Sequence, residues 1–279
     1  MAITAFYQPA SVQEAVKLMH SKRGKGAYVA GGTDLLCELR RPEFVINVRD
    51  LLNKIKREAK VFMIGAAATV SQIEYWDELA KADGGLLRQC AKDFASRQIR
   101  NMATIGGNLA SAVPSADFAT PLLVLQAQCV IQGKTGRRSV PIEKFFIGPH
   151  QSVLGKNLLV AIRVPRPEAG ERGAFLKIGR NPGDIAAINL SALVKLAGRK
   201  FKKVRIALGA VAPTPIRAYE AEAYLEGKEV TEEHIRQAAE LAAEAAQPIS
   251  DQRASKAYRK QMCNALTRRA LQQCVGRDS

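Results

Sequence analysis

Val29-Ala30-Gly31-Gly32-Thr33-Asp34-Leu35-Leu36 is the stretch on which the fold turns. The apolar run Ala27 to Ala30 ahead of it predicts a strand, and Leu35-Leu36-Cys37-Glu38-Leu39 after it can begin a helical turn. Two glycines followed by a hydroxyl residue at such a junction can turn the backbone and expose several N–H groups, which together make a nest for phosphate oxygens. A plain tight turn fits the same residues. The stretch is not G-x-G-x-x-G and has no Walker lysine, so neither common nucleotide motif applies. The pattern recurs at Thr104-Ile105-Gly106-Gly107-Asn108-Leu109-Ala110. Two such loops can clamp one extended diphosphate from both sides, or they can be two unrelated turns.

Working outward, 279 residues with 47% hydrophobic content supply cores for two or three modest domains. No run of eighteen apolar residues is present, so no transmembrane helix is expected. Met1-Ala2-Ile3-Thr4 lacks the basic and apolar regions of a secretory signal. Five cysteines, odd in number and without a C-x-x-C pair, fit reduced thiols in a cytoplasmic protein. Cys263 and Cys274 make a poor metal pair, and His20, His150 and His234 have no clustered partners, so no zinc or iron site is expected. The formal charge of +16 suits a nucleic acid, anionic lipid, an anionic cofactor or an acidic protein. The basic groups are scattered and no stacking aromatics are interleaved with them, which favours a solvated basic surface over a nucleic-acid face.

Along the chain, Ser11-Val12-Gln13-Glu14 reads as a capping box opening a helix whose apolar face is Val12, Ala15, Val16 and Met19. Phe44 to Val48 and Val61 to Gly65 read as strands, and Ser71-Gln72-Ile73-Glu74 as a second capping box. Ala66-Ala67-Ala68-Thr69 fits close packing or the approach of a ligand. Leu86 to Cys90 and Leu122 to Leu125 are helical, Gln128 to Gln132 and Leu158 to Ile162 are strands, Gly133 to Ser139 is a turn, and Phe145 to Pro149 is a buried segment and loop. Asp117 is either a first-turn acid or a ribose acceptor. Pro165 to Gly170 marks a boundary. Beyond it Ala174 to Ile178, the ambiguous run Ala187 to Leu196, and Val204 to Leu208 read as strands. Ala218 to Leu225, Glu232 to Ala246 and Ser255 to Cys274 read as helices. An antiparallel sheet with helices against one face is the simplest arrangement of these elements.

The ordered motifs Ala30 to Leu36, Arg100-Asn101-Met102-Ala103-Thr104-Ile105-Gly106-Gly107-Asn108 and Pro114-Ser115-Ala116-Asp117 make the chain resemble the FAD-binding medium subunit of molybdenum hydroxylases, the xanthine dehydrogenase and aerobic carbon monoxide dehydrogenase family. The likeness runs on through Pro213-Thr214-Pro215-Ile216-Arg217-Ala218, Glu222, Leu225-Glu226-Gly227 and Tyr258-Arg259, and so covers essentially the whole chain. It implies an α+β chain with a vanillyl-alcohol-oxidase-type (PCMH-type) FAD-binding fold. Two α/β subdomains, 1–55 and 56–167, would precede a domain of antiparallel sheet and packed helices at 168–279.

By the same resemblance, Ala30, Gly31, Gly32, Thr33, Asp34, Leu35 and Leu36, with Thr104, Ile105, Gly106, Gly107, Asn108 and Leu109, hold the FAD diphosphate. Asp117 lies at the adenosine ribose, Lys177 approaches the flavin ring, and Asp184 lies in the loop beside it. Many relatives carry a second arginine where Asn181 stands. The implied partners are a molybdopterin-containing large subunit and a small subunit with two [2Fe–2S] centres, and this chain has no iron–sulfur cysteine pattern of its own. The implied acceptor is NAD, which Thr33 and Asn108-Leu109 favour as features nearer the xanthine dehydrogenase branch, or oxygen or a quinone. The other readings are a self-sufficient flavin oxidase of related fold and a basic nucleic-acid-binding scaffold.

Overall fold

Residues 3–37, 42–82 and 85–276 are described by the computed structural model. The first elements are β1 (Ala5–Tyr7), α1 (Val12–Ser21), β2 (Gly26–Val29) and β3 (Phe44–Asn47). They form a three-stranded parallel sheet in the order β1-β3-β2. Ser11 caps α1 by accepting from the Glu14 N–H, while the Glu14 carboxylate accepts from Ala10, one residue ahead of the box position expected from sequence. The buried stripe Ala15, Val16 and Met19 faces the core.

A second, antiparallel sheet has the order β4-β5-β10-β6-β7. Its strands are β4 (Ile55–Arg57), β5 (Val61–Gly65), β6 (Gln128–Gly133), β7 (Gly136–Pro141) and β10 (Leu158–Pro165). The expected turn at Gly133 to Ser139 is therefore shorter: Arg137, Arg138 and Ser139 lie in β7, because Gly133 pairs with Gly136 and closes the hairpin. A bulge at Val160 in β10 frees its carbonyl to accept from Ala66 N–H. Phe145 is buried as expected, but Phe146–Gly148 forms β8, paired with β9 (Gln151–Ser152), and Ile147 is exposed.

Between these strands run the short helices α2 (Val70–Tyr75), α3 (Asp77–Ala82), α4 (Leu86–Lys92), α5 (Arg97–Arg100), α6 (Ile105–Ala110) and α7 (Ala119–Val124). The second capping box sits two residues earlier than the sequence reading. Thr69 caps α2 and Gln72 completes the box, because Ser71 lies inside the helix and donates to Asn101.

The third sheet is antiparallel, in the order β11-β12-β13-β14, from β11 (Glu171–Ile178), β12 (Ile188–Ala197), β13 (Lys200–Gly209) and β14 (Ile216–Arg217). It is followed by α8 (Tyr219–Leu225), α9 (Glu232–Glu244) and α10 (Lys256–Val275). The run at Ala187 to Leu196 is ambiguous in sequence because both faces of β12 are buried. Ile188, Leu190, Ala192 and Val194 join the core under α8 to α10. Leu193, with Phe175 and Ala207, joins the core of the first two sheets. The expected helical layer is present on one face, and the other face is covered by α4 and α7. Among the described residues, no helix is long and apolar enough to cross a membrane.

Candidate functional site

The site grows from the turn after β2. Gly32 has φ +71°, a backbone state that costs a side-chain-bearing residue strain. Gly31 is required for a different reason: a Cβ there would fall 1.9 Å from the Met102 carbonyl oxygen. Thr33 to Cys37 is a turn, closed by Leu36 N–H on Gly32 and Cys37 N–H on Asp34. The helical start expected over Leu35 to Leu39 is seen only as that turn, and Glu38 and Leu39 lie outside the described residues. The N–H groups of Gly32, Thr33, Asp34 and Leu35 donate to no acceptor among the described residues. Four donors on one tight turn are the anion-nest geometry.

The second Gly-Gly stretch is a different object. It forms α6, a six-residue helix capped by Thr104, whose hydroxyl accepts from Gly107 N–H at 3.1 Å. Ile105 and Gly106 donate to the carbonyls of Ala68 and Ala66. A Cβ on Gly106 would meet the Ala66 oxygen at 2.4 Å, so this glycine permits the close approach of the alanine run. The N–H groups of Ile105, Gly106 and Gly107 are therefore taken within the protein. Gly107 itself is exposed, with only the Thr104 hydroxyl near its missing Cβ, at 3.0 Å.

The structure nevertheless brings the two motifs together. Gly31 rests on Met102, and Ser111 just past α6 donates to the Asp34 carboxylate at 2.7 Å. Leu36 is exposed on the first turn, and Met102 is exposed beside α6. Asn108 extends the band by accepting from Phe118 N–H, next to Asp117. Leu109 is buried and belongs to the core.

Asp117 and Lys177 meet at 2.6 Å with both side chains less than 8% exposed. Lys177 also donates to the Asp93 carbonyl at 3.2 Å, which leaves one of its three N–H donors for another acceptor. The other Asp117 oxygen accepts from Asn189 at 3.0 Å. Burial pushes the Asp117 carboxyl above its ordinary range against the opposing pull of Lys177 and Asn189. Behind it, Ser191 donates to Thr120 and Thr120 to Asn189, a buried polar run between β12 and α7.

Asp184 sits in the turn that follows β11. Its carboxylate accepts from the backbone and side-chain amides of Asn181, at 3.1 and 3.2 Å. Gly183, at φ +83°, rests against the backbone of Ala95. Arg100 donates to the carbonyls of Lys92, Phe94 and Ala95, and so fixes the segment that receives both Lys177 and the Gly183 turn. Asn189 and Thr120 escaped the functional reading of the sequence, and Arg100 entered it only within the family motif, with no role assigned; a polar Asn in a largely apolar strand was a usable signal.

Four of the five cysteines are buried thiols, and Cys37 is exposed at the end of the first turn. Burial pushes the Cys129, Cys263 and Cys274 thiols up to about 12. Cys90, also buried, is raised well above its ordinary value. Among the described residues no group of His, Cys, Asp and Glu could hold a metal ion.

These sheets, with a turn after β2 whose N–H groups meet no acceptor among the described residues, make a PCMH-type FAD-binding fold followed by a second domain. Residues 2–167 match the family described as FAD binding domain in molybdopterin dehydrogenase, and residues 173–274 match the CO dehydrogenase flavoprotein C-terminal domain. The chain is 33% identical over 273 residues to the carbon monoxide dehydrogenase medium chain of Hydrogenophaga pseudoflava, covering 95% of each. A solved carbon monoxide dehydrogenase structure from that organism, which lacks the Mo-pyranopterin moiety of its cofactor, superimposes with a TM-score of 0.94. That match covers 99% of this chain and 98% of that one. The xanthine dehydrogenase FAD-binding subunit of Escherichia coli O157:H7 is 30% identical over 281 residues, with 97% of this chain and 96% of that one covered. This chain belongs to the FAD-binding medium subunits of the molybdopterin-dependent carbon monoxide dehydrogenase and xanthine dehydrogenase family. It is an FAD-binding subunit of a molybdenum-hydroxylase-type complex. Identities of 33% and 30% to the two branches do not separate them.

Proposed function

We propose that this chain holds one FAD non-covalently and serves as the flavin station of its complex, taking electrons from [2Fe–2S] centres in a small subunit that is itself supplied by a molybdopterin-containing large subunit. The observation that carries the reading is the turn at Gly32 to Leu35, whose four N–H donors meet no acceptor among the described residues, and which is tied to the second motif through Gly31 on Met102 and Asp34 on Ser111. A dinucleotide diphosphate needs such convergent donors. Ala30, Gly31, Gly32, Thr33, Asp34, Leu35 and Leu36 would form that cradle. Thr104 to Leu109 would form its opposite wall, by shape and side chains rather than by N–H donation.

Bound flavin supplies the redox chemistry. The chain's own part is to bind, orient and bias it. Lys177 would offer its remaining N–H donor to an electron-rich oxygen or nitrogen, which favours a negatively charged reduced ring. Asp117 has both oxygens occupied within the protein, so we assign it the role of counter-ion to Lys177 in place of a ribose acceptor. The Gly179 to Asp184 turn would face the external acceptor, with NAD the favoured one. In this scheme residues 1–55 carry the cradle, 56–167 the opposite wall, and 168–279 the lysine and acceptor loop.

The test is acid denaturation of the purified chain followed by chromatography. The expected result is free FAD, one per chain. Flavin retained on the denatured chain, FMN in its place, or no flavin taken up by the apo-protein would each overturn the reading.

A further inference from the structure

Three residues lie in one row across the third sheet. Lys177 on β11 stands opposite Asn189 on β12, which in turn stands opposite Gly209 on β13. Directly opposed residues share a face of a sheet, and Lys177 and Asn189 both reach Asp117 from that face. Asn189 is fully buried in a strand where its neighbours Ile188 and Leu190 are apolar. Gly209 makes room for it: a Cβ there would fall 2.2 Å from the Asn189 Oδ1 atom. A buried amide is costly unless both its ends are hydrogen-bonded.

The direction of those bonds is set by the backbone. Asn189 Nδ2 donates to Asp117 at 3.0 Å and lies 3.4 Å from the Ser115 carbonyl. A carbonyl only accepts, so turning the amide over would set oxygen against oxygen. Nδ2 therefore faces Ser115 and Asp117, and Oδ1 faces Thr120, whose hydroxyl donates to it at 3.3 Å. Thr120 accepts from Ser191 at 3.1 Å. Asp117 thus meets a donor on each oxygen, Asn189 on Oδ1 and Lys177 on Oδ2. That arrangement suits a carboxylate, because a protonated carboxyl would set its own hydrogen against one of the two donors. The other ionisable groups facing Asp117 are Asp93 and Cys90, at the end of α4. The Asp93 charge opposes ionisation of Asp117, and the Cys90 thiol, raised by burial, stays neutral.

We propose that Asn189 is a positioning residue: its fixed donor keeps Asp117 ionised, so that Lys177 meets the bound flavin as a charge-compensated ammonium. The proposal rests on the reading above that Lys177 serves a flavin. Without the amide, Asp117 takes up a proton and no longer offsets the lysine. The pair then carries a net positive charge, which favours a negatively charged reduced ring.

The experiment is redox titration of the full chain loaded with FAD, at several pH values, with FAD affinity and melting temperature measured for each variant. Asn189→Leu is compared with wild type, Asp117→Asn, the double variant and Ser191→Ala. Asn189→Leu should favour reduced over oxidised flavin by about tenfold at neutral pH, a rise of about 30 mV for a two-electron couple. Asp117→Asn should raise the potential at least as far. The double variant should go no further than Asp117→Asn, because both changes act through one charge. The Asn189→Leu shift should fade in acid, where the wild-type carboxyl is protonated too. Ser191→Ala removes a hydroxyl from the same buried run but leaves Ser115 to orient the amide, so its potential should match wild type. If Asn189→Leu does not fold, Gly209→Ala carries the test, since its methyl group displaces the same amide and should raise the potential in the same way. An unmoved or lowered potential, additive shifts in the double variant, or an equal shift in Ser191→Ala would overturn the proposal. A wild-type chain that takes up no FAD defeats the functional reading instead, and is seen before any potential is measured.

Discussion

Replacing Lys177 with methionine tests the buried pair directly. The substitution keeps the length and apolar stem of the side chain and removes the ammonium that lies 2.6 Å from Asp117. Asp117 then remains 5% exposed with Asn189 as its only side-chain partner among the described residues. Breaking a buried pair by removing one member costs about 3 to 5 kcal/mol when the remaining charge stays ionised. Here the carboxyl can take up a proton, which caps the loss nearer the lower figure.

The pH dependence has a definite sign. Burial already raises the folded pKa of Asp117 above its unfolded value, and Lys177 is the chief influence holding it down. For a carboxyl raised in this way, the folded state binds the extra proton. Its stabilising contribution is present in acid and is lost as pH rises through the folded pKa. Removing Lys177 lifts that pKa further, so the deficit relative to wild type is smallest in acid and grows as pH rises. A loss of about 3 kcal/mol lowers the melting temperature by roughly 5 °C in a chain of this size. Thermal unfolding of the apo-protein from pH 5 to 8 measures it, and the double variant Lys177→Met/Asp117→Leu should regain most of the loss. A deficit independent of pH, or a double variant no better than the single one, would refute the assignment of a buried ion pair.

The two Gly-Gly stretches should part company on mutation. Gly31→Ala drives a methyl group into the Met102 carbonyl and lowers apo-protein stability by about 2 kcal/mol or more in urea titrations. Gly107→Ala meets only the Thr104 hydroxyl at 3.0 Å, so it leaves stability within about 1 kcal/mol while weakening FAD binding measured by fluorescence titration. Glu222 accepts two hydrogen bonds of 2.6 Å from Arg217 and one from Ile206 N–H, so Glu222→Gln leaves the buried guanidinium with Glu143 as its remaining carboxylate and costs about 3 kcal/mol in the same urea assay. Asp184→Ala unfastens the Asn181 to Asp184 turn, and stopped-flow reoxidation of the reduced complex by NAD⁺, oxygen and a quinone should shift for at least one acceptor. Three unchanged rates would give the turn a purely structural role.

Much of the architecture was legible because local signals and burial agreed. The apolar stripe of α1 follows from a single buried face. The run over β12 resisted reading because its neighbours bury both faces, and a strand covered on two sides loses its alternation. The box expected at Ser71 failed for a local reason. Thr69 precedes it with an equally good cap, and the residue that wins is the one whose carbonyl starts the helix.

The candidate site shows where pattern and role separate. Gly31-Gly32 and Gly106-Gly107 are the same dipeptide, and sequence assigns them one function. In the folded chain Gly32 gives the turn its left-handed backbone, and Gly106 lets Ala66 approach α6. Among the described residues the N–H groups of the first turn meet no acceptor, whereas in the second stretch the Ala68 and Ala66 carbonyls and the Thr104 hydroxyl take them. The same separation applies to Asp117 and Lys177, which are sixty positions apart and carry no spacing signal. Their pairing exists because β11 lies beside β12, which packs against α7, with Asn189 of that adjacent strand holding the second carboxylate oxygen. A lysine so anchored keeps one donor aimed by the fold rather than by its own flexible stem. Under the proposed function, that constraint, and not the presence of a lysine, is what would let it act on a bound ring.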